Sequence, residues 1–387
     1  MKKIVYISYQ PLTKKVYTDY YIETCIDKGF ELEYWDITQI YFKNLILKDT
    51  LDITGIKKFY SFRELKVELS KTDKKKTLFI TNITFGYKVL RLFQILSVHK
   101  CKLAFFARGM FPSFFKTEST KIIETIRSFD YNRLLNGINN RIASWLKKIG
   151  IIKTYDIIFR AGSEGVITIG AGYFIDNLKA KIIDINYFDF DKFLICKNKN
   201  ISVKHNYCVF LDDYLPFHPD WQIINVKTVS PTDYYSNINN FFEIIEKKMK
   251  IDVVIAAHPK ALNYEKENPF NGRKIVYGKT CELVRDSLFS ITHHSTSISF
   301  PILCGKPIIF ITSESQKVIM PRLYELTFHL SDVLNSSVIH FDTYQGEDIA
   351  LKVDTDKYDE YKYKYLTSKA SEGRKSSDIF IETVSQL

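Results

Sequence analysis

The sequence predicts an α/β protein with two domains, each built on a doubly wound parallel sheet. Segments rich in β-formers alternate with amphipathic helical segments in both halves of the chain, which is typical of such sheets. The chain has 387 residues, enough for two domains of ordinary size. A polar stretch at residues 197–204 separates the halves. We therefore predict a first domain at residues 1–196, a second at 205–345, and a C-terminal helical segment at 346–387 that packs back on the first.

The composition favours a soluble protein with an anionic partner. Hydrophobic residues make up 45% of the chain and aromatic residues 15%, so each domain can bury a core and disorder is excluded. The 55 Lys and Arg residues exceed the 44 Asp and Glu residues by 11, which suits a nucleotide, an anionic membrane surface or a nucleic acid. The six cysteines are scattered without metal-ligand spacing, which indicates reduced thiols in a cytoplasmic protein. No signal peptide or transmembrane stretch is evident, so we expect a soluble protein or one attached to a membrane face.

The first half alternates strands and helices as a doubly wound sheet requires. Ser61 and Glu64 have the spacing of a capping box and predict the start of one helix. A tight glycine-bounded loop at residues 161–165 carries a single carboxylate, that of Glu164. The strands are predicted at residues 4–8, 31–35, 78–81, 103–107, 155–159 and 182–185, and the helices at 17–28, 61–69 and 87–98.

Residues 117–153 form a basic and amphipathic helical region. A helix of this kind can lie on an anionic membrane surface, with its apolar face inserted and its cationic side chains near the headgroups. The alternative is an ordinary domain helix whose cationic face is solvated. Both interpretations stay open at the level of the sequence.

The second half repeats the alternation. Ser230, Pro231 and Asp233 are an N-cap serine, a proline at the first helical position and an acid at the third, which together predict a helix start. Residues 289–312 have the pattern of a strand, a polar loop, a short helix, a glycine stop and a further strand. The other elements are predicted as strands at 207–211 and 252–257 and as helices at 231–249, from 280, at 320–326 and at 377–386.

Three polar clusters follow predicted strands of the second half. Ligands of open α/β sheets bind outside the carboxyl ends of the strands, so clusters that converge on one edge predict a site. The clusters are Asp212 and Asp213; His258, Pro259 and Lys260; and His294, Ser295, Thr296 and Ser297.

The composition of these clusters is that of a phosphate pocket. Hydroxyls and the first N–H groups of a helix can hold phosphate oxygens, while Lys260 and a protonated His258 supply charge. A carboxylate opposite them can act as a general base or as a nucleophile. The simpler alternatives are that Ser295 or Thr296 caps its helix and that His258 is a packed histidine. Residues 189–191 have a D-x-D pattern used for metal–nucleotide binding, but the pattern is short and we predict no metal site.

The order of these motifs resembles that of bacterial sialyltransferases and related Kdo transferases. The matching residues are Asp212-Asp213, His258-Pro259 and Ser295-Thr296, with Tyr214 where many sialyltransferases have glycine. The segments F-L-D-D-Y-L-P-F-H-P-D, A-A-H-P-K and H-H-S-T-S are also similar to surface-polysaccharide glycosyltransferases that act with nonulosonic acids. The resemblance covers roughly residues 209–312. It implies a GT-B fold, in which two Rossmann-like domains face each other across a cleft.

The resemblance also implies a function and residue roles. The protein would transfer a nonulosonic acid (sialic, pseudaminic or legionaminic) or a Kdo-type sugar from its CMP donor to a glycan or lipid-linked acceptor, with no metal and no further cofactor. His258, Ser295 and Thr296 would bind CMP. Asp212 would be the catalytic acid–base, with Asp213 as second candidate. If the reaction retains configuration, Asp212 would be the nucleophile and Glu164 would supply the acid/base.

Two other functions remain open. A glycerophosphotransferase that uses CDP-glycerol shares the fold and a similar hydroxyl-rich phosphate loop. A basic nucleic-acid-binding protein without catalysis would fit the net charge, but it leaves the three strand-end clusters unexplained, so we expect no nucleic-acid partner. We place the enzyme in the cytoplasm, with contact to the inner face of an anionic membrane as an option.

Overall fold

The chain folds into two compact units. The structure, a computed structural model, describes residues 3–43, 50–112, 131–198, 206–219, 221 and 226–387, with side chains left out for residues 131–134. The first unit comprises residues 1–110, 116–188 and 367–387, and the second comprises 111–115 and 189–366.

The first unit contains a seven-stranded sheet in which every strand pair is parallel. Its spatial order is β3-β2-β1-β4-β5-β6-β7, so the strand order reverses between β1 and β4. The short edge strand β3 was not predicted, because three residues are too few for a periodic pattern. The strands are β1 (Lys3–Ser8), β2 (Glu31–Asp36), β3 (Ile56–Lys58), β4 (Thr77–Thr81), β5 (Lys102–Ala107), β6 (Ile157–Ala161) and β7 (Lys181–Ile185).

Helices cover both faces of this sheet. The capping box is confirmed, because Ser61 Oγ accepts a hydrogen bond from the Glu64 N–H while Glu64 accepts one from the Tyr60 N–H. The described helices of this unit are α1 (Lys14–Asp19), α2 (Ile22–Asp27), α3 (Thr38–Tyr41), α4 (Phe62–Lys71), α5 (Leu90–Val98), α6 (Tyr131–Lys148) and α7 (Tyr173–Lys179), with 3₁₀ turns at Tyr87–Val89 and Ser163–Ile169.

Two predicted helices of this unit differ from the structure. The helix predicted at 17–28 is two helices, because Tyr21 adopts a left-handed φ of 59° between α1 and α2. Of the region predicted at 117–153, residues 117–130 lie outside the described part, and α6 forms from Tyr131.

The second unit contains a six-stranded parallel sheet with the order β10-β9-β8-β11-β12-β13. Numbered within the unit, this is the order 3-2-1-4-5-6 of a Rossmann fold. Strand β8 has the bounds predicted from the sequence, whereas β10 was missed because two residues give no periodic signal. The strands are β8 (Tyr207–Leu211), β9 (Asp252–Ala256), β10 (Ile275–Val276), β11 (Ser290–Thr292), β12 (Ile308–Thr312) and β13 (Ser337–His340).

The helices of the second unit pack on both faces of its sheet. Ser230 caps α9 as predicted, with its Oγ accepting from the Asp233 N–H at 3.4 Å. The described helices are α8 (Phe188–Cys196), α9 (Pro231–Met249), α10 (Thr280–Asp286), α11 (Ser299–Cys304), α12 (Glu314–Ile319), α13 (Pro321–Leu334) and α14 (Thr355–Tyr361); a last helix, α15 (Ser376–Ser385), belongs to the first unit.

The units divide earlier in the chain than residue 196. Apart from its first residue, helix α8 lies in the second unit, because Phe193 and Cys196 pack with Tyr207 and Val209 beneath the second sheet. Residues 346–366 also lie in the second unit, whereas Thr367–Leu387 lie in the first. In this last segment Phe380 is fully buried among the apolar residues of the first sheet.

The predicted fold class is confirmed: both units are Rossmann-like α/β domains with parallel sheets, the pair of domains of a GT-B fold. The six cysteines are free thiols, five of them buried. Among the described residues, no helix is both long and apolar enough to cross a membrane.

Candidate active site

The three predicted clusters meet at the switch point of the second sheet. Strands β8 and β11 are neighbours there, and their outgoing connections run to opposite sides of the sheet. Leu211, Thr292 and Phe310 form one register row across β8, β11 and β12. Two residues further on, Asp213, His294 and Thr312 form the next row on the same face, because side chains alternate along a strand.

Asp212 lies on the opposite face and is almost fully buried, with 4% exposure. Its Oδ1 accepts from the Tyr214 N–H at 2.9 Å and its Oδ2 from the His258 N–H at 3.4 Å. Both carboxylate oxygens therefore hold backbone groups, and Asp212 connects the end of β8 to the loop after β9. This residue positions the His258 loop.

Asp213 points toward the cluster that follows β11. Its Oδ2 accepts from the His294 N–H at 3.1 Å, and its side chain remains 11% exposed. A further hydrogen bond joins it to Ser295. Side chains alternate along a strand, so Asp212 points into the tyrosine-lined core while Asp213 points to His294 and Ser295, two of the residues predicted to bind phosphate.

Burial raises the pKa of both carboxyls. The pKa of Asp212 is raised to about 7, chiefly by desolvation and additionally by the charge of Asp213. The pKa of Asp213 is raised to about 6 by desolvation, against hydrogen bonds from His294 and Ser295 that lower it. A carboxyl with a pKa near neutrality can take a proton from a substrate hydroxyl and release it again.

The structural role of His293 was not predicted from the sequence. Its side chain is fully buried. Its Nδ1 donates to the Ile311 carbonyl at 2.9 Å, so its Nε2 accepts from the Tyr234 hydroxyl at 2.9 Å. Burial lowers the pKa of His293 to about 3, and the ring is neutral. His293 therefore ties α9 to β11 and β12 behind the site and is a structural residue.

His294 presents a buried atom without a partner. Its Nδ1 is buried and makes no hydrogen bond to any described residue, and it lies 3.9 Å from Asp213 Oδ2. Burial lowers the pKa of His294 to about 4, so the ring is neutral at physiological pH. A buried ring nitrogen at a strand end that finds no protein partner is available to a ligand.

The three hydroxyl residues after His294 differ in role: Ser295 caps a turn, whereas Thr296 is the most accessible of them. Ser295 Oγ accepts from the Ser297 N–H at 3.3 Å, so the simpler alternative of a capping serine applies to the 3₁₀ turn Thr296–Ile298. Thr296 is exposed and Ser297 is half-buried. The turn leads directly into α11.

A second histidine accompanies His258. The rings of His218 and His258 meet edge-to-face with centroids 4.8 Å apart, and the charge of His218 lowers the pKa of Asp213. His258 Nδ1 accepts from the Lys260 N–H at 3.2 Å, which places the proton of a neutral ring on Nε2. Pro259 and Lys260 are exposed at this loop. The sequence signal for His218 was its own His-Pro dipeptide, which matches His258-Pro259.

Further polar atoms without partners among the described residues lie at the end of β12, in this row and next to it. Thr312 Oγ1 and both amide atoms of Gln316 are buried and make no hydrogen bond within the described part of the chain. Gln316 lies in the first turn of α12, and its N–H donates to Ser313 Oγ at 3.1 Å. These groups could serve the hydroxyls of a bound ligand, and an isolated threonine and glutamine gave no sequence signal.

Two sequence candidates stand apart from this cluster. Glu164 is half-buried in the 3₁₀ turn of the first unit. Asp189 accepts from Ser299 Oγ at 2.5 Å and so anchors α8 to α11. Within the described residues, no group of three or more His, Cys, Asp or Glu side chains is arranged to hold a metal ion, and metal-independent chemistry stays a prediction.

The fold and the site define a two-domain Rossmann-like protein with a cluster of polar side chains at the switch point of its second sheet. No family model and no curated protein sequence matches the chain. The solved structures that are similar to the chain include the following three. The wall teichoic acid polymerase TagF has 13% identity and a TM-score of 0.49, over 100% of this chain and 89% of that chain.

The UDP-GlcNAc 2-epimerase from Methanocaldococcus jannaschii has 12% identity and a TM-score of 0.48, over 100% of both chains. MurG from Acinetobacter baumannii has 6% identity and a TM-score of 0.42, again over 100% of both. At these values the similarities carry no conclusion about activity.

Proposed function

We propose that the protein is a glycosyltransferase that moves a nonulosonic acid or Kdo-type sugar from its CMP donor to a glycan or lipid-linked acceptor. One observation carries the proposal: Asp213, His294 and Ser295 converge at the switch point of a Rossmann sheet. Beside them stand His218 and His258. The order of motifs in the sequence supports the CMP-sugar class.

The chemistry assigns Asp213 the role of general base. The acceptor hydroxyl transfers its proton to a carboxylate oxygen while its own oxygen bonds to the anomeric carbon of the sugar. The bond from that carbon to the phosphate oxygen breaks, and its electron pair leaves with CMP. Two differences favour Asp213 over Asp212 for this role. Asp213 is the more exposed of the two, and both oxygens of Asp212 already accept hydrogen bonds from backbone N–H groups.

The leaving phosphate needs donors to carry its developing charge. His258 can donate from Nε2, and Lys260 is exposed nearby. Thr296 and Ser297 add hydroxyls after β11, at the same edge of the sheet. The buried polar atoms of Thr312 and Gln316 suit hydroxyls of the donor. In a retaining reaction the carboxylate would attack the sugar carbon instead, with Glu164 as acid/base.

Calorimetric titration with CMP, CDP, UDP and GDP, first without metal and then with Mg²⁺, tests the donor class. We expect CMP to bind most tightly without metal, and His258→Ala to weaken CMP binding at least tenfold. Lys274→Ala, at a lysine outside the three clusters, serves as the control. Preference for UDP or GDP, or strict dependence on Mg²⁺, would contradict the proposal.

A donor screen separates the alternatives. Turnover of CDP-glycerol, but not of CMP-sugars, would identify a glycerophosphotransferase. Binding of generic DNA or RNA that weakens steeply with salt, together with no nucleotide preference, would identify a nucleic-acid-binding protein.

We also propose that helix α6 rests on an anionic membrane surface at the cytoplasmic face. Ile138, Ile142, Trp145 and Ile149 follow one another at helical spacing and are each 44% to 56% exposed. Arg141 and Lys148 are exposed on the same helix. An apolar stripe with flanking cations is the pattern of interfacial helices, and a lipid-linked acceptor would be held at the same membrane surface.

A further inference from the structure

The carboxyl edge of the first sheet holds a buried cation that the proposed chemistry does not use. Arg108 follows β5 and is only 7% exposed. Its guanidinium lies 3.8 Å from the ring centroid of Phe188 and 4.7 Å from that of Phe106. The rings of Tyr20 and Tyr21 complete an aromatic cage.

The hydrogen bonds of Arg108 leave its charge uncompensated by any described carboxylate. One Nη donates to the Tyr21 hydroxyl at 2.8 Å, and the other donates to the Asp19 carbonyl. Nε is buried and has no partner among the described residues. A buried guanidinium normally pairs with an anion, because desolvation of an unpaired charge is expensive.

A purely structural role, in which Arg108 only links neighbouring segments, does not explain why a charged side chain is buried here. Five N–H donors are available on an arginine, and two are used by the contacts above. An uncharged side chain of similar length could fill an aromatic cage without the penalty of burying a charge. The Asp19 carboxylate is engaged with Lys15 instead.

A second unpartnered group lies on the same face of the sheet. Both amide atoms of Asn82 are buried without a partner in the described part of the chain. Asn82 follows β4, and its N–H donates to the Ile7 carbonyl of β1 at 3.2 Å. It therefore occupies the β1–β4 switch point of the first sheet, the place where ligands of such sheets bind.

The register brings the two groups to one edge. Thr81 pairs with Ile7 and with Phe105, so the next row contains Ser8, Asn82 and Phe106. Arg108 follows the end of β5, and its guanidinium packs 4.7 Å from the ring centroid of Phe106, so it lies on the face to which Phe106 points. An amide that can both donate and accept thus lies on the same face as a cation that can only donate.

We propose that Arg108 and Asn82 form a binding site for the acidic group and a neighbouring hydroxyl of the acceptor. A carboxylate or a phosphate matches the guanidinium fork, and the amide matches a sugar or glycerol hydroxyl. The identification of this ligand as the acceptor rests on the proposed function. The proposal that the first unit binds a hydroxylated anion is independent of that function.

Binding to the full chain without donor tests the site. The probes are 3′-sialyllactose against lactose for a carboxylate source, and glycerol 3-phosphate against glycerol for a phosphate source. We expect at least one acidic probe to bind more than tenfold more tightly than its neutral partner. If neither does, the proposal is overturned.

Variants locate the binding. Arg108→Gln should weaken the acidic probe at least tenfold, and Arg108→Lys should give an intermediate loss because the planar fork is gone. Asn82→Asp keeps the shape of the side chain and adds a repelling charge, so it should abolish binding even if Arg108 variants fold poorly. Arg160→Gln removes an arginine that is already paired with Asp184 at 2.9 Å and should leave binding unchanged.

The outcomes separate this proposal from the donor proposal. Equal binding by the parent, Arg108→Gln and Asn82→Asp would overturn the anion site whatever the nucleotide result. Loss of acidic binding in both variants with unchanged CMP affinity would support it. Acidic binding by a protein that binds no nucleotide would support the anion site and contradict the assignment of its ligand as acceptor.

Discussion

At the scale of single residues, the pair after β8 shows how one position decides a role. Asp212 and Asp213 are consecutive, yet the pleat sends one toward the core and the other toward His294. The family resemblance of the sequence favours Asp212 for the catalytic role. Its hydrogen bonds to two backbone N–H groups instead suit a positioning residue, and we assign the proton transfer to Asp213.

Asp213→Asn is expected to lower transfer about 100-fold or more, the range typical of a lost general base, because an amide cannot accept the proton. CMP affinity should stay within about twofold of the parent. Steady-state kinetics with calorimetry measure both. Asp212→Asn is the matched variant and should mainly lower the melting temperature. Unchanged turnover in Asp213→Asn would remove this residue from the mechanism.

The raised carboxyl pKa also sets the pH dependence of transfer. A general base must be ionised, so the rate constant kcat/KM should fall about tenfold per pH unit below the pKa of Asp213, which is about 6. An ordinary aspartate would place this fall near pH 4. A pH–rate profile from 5 to 9 checks it, with circular dichroism to verify folding. A flat profile down to pH 5 would contradict the assignment.

The shifted pKa values of the site also make the stability of the fold depend on pH, and the aspartates and the histidines act in opposite directions. A carboxyl whose pKa is raised on folding favours the folded state below its unfolded pKa, and this contribution is lost as pH rises through about 6 to 7. His293 and His294, whose pKa values are lowered to about 3 and 4, contribute stability above their unfolded pKa. Their contribution is lost as pH falls through these values.

At the scale of the elements, helix α6 shows both a buried and an exposed stripe. Lys147 is fully buried and pairs with Asp176 at 2.6 Å, while Trp145 is 56% exposed. The buried pair fixes α6 against α7. The exposed stripe is therefore presented in one orientation, as a membrane-binding surface requires.

Trp145→Ser is expected to weaken binding to phosphatidylglycerol vesicles about fivefold or more, because an aromatic anchor is lost from the inserted face. Cosedimentation measures the change, with phosphatidylcholine vesicles as the uncharged comparison. Leu178→Ser, at an 82% exposed apolar residue of α7, is the control. Equal binding by parent and Trp145→Ser would contradict the membrane proposal for α6.

At the scale of the whole molecule, the chain crosses between units more than once. The final helix α15 joins the first unit, where Phe380 contacts Phe106 and Phe159 with ring centroids 5.2 Å and 5.0 Å apart. Thr367 and Ser376 bond to Asn186 next to it. The first domain is therefore complete only with the last residues of the chain.

Phe380→Ala is expected to lower the free energy of unfolding of the first unit by about 3 to 5 kcal/mol, the usual cost of truncating a fully buried phenylalanine. Chemical denaturation followed by circular dichroism measures it. Phe174→Ala, at a phenylalanine that is 49% exposed, should cost less than about 1 kcal/mol. A loss below 1 kcal/mol for Phe380→Ala would show that α15 is dispensable for the first unit.

The sequence by itself determined what depends on local patterns. The alternation of strands and helices gave the fold class, and the bounds of β8 and α9 agree with the prediction because hydrophobic period and capping residues act locally. The three polar clusters were found because strand ends can be read along the chain. Short edge strands such as β3 and β10 carry too few residues for such a pattern.

Only the tertiary structure decided which strands are neighbours. The order β9-β8-β11-β12 places the clusters at one switch point, and the register row then selects Asp213 and recruits Thr312. The tertiary structure also brings the ring of His218 to that of His258 and buries His293 in the core. In the first sheet, it places Arg108 and Asn82 at one edge. Such contacts join residues far apart in the chain, so no local pattern encodes them.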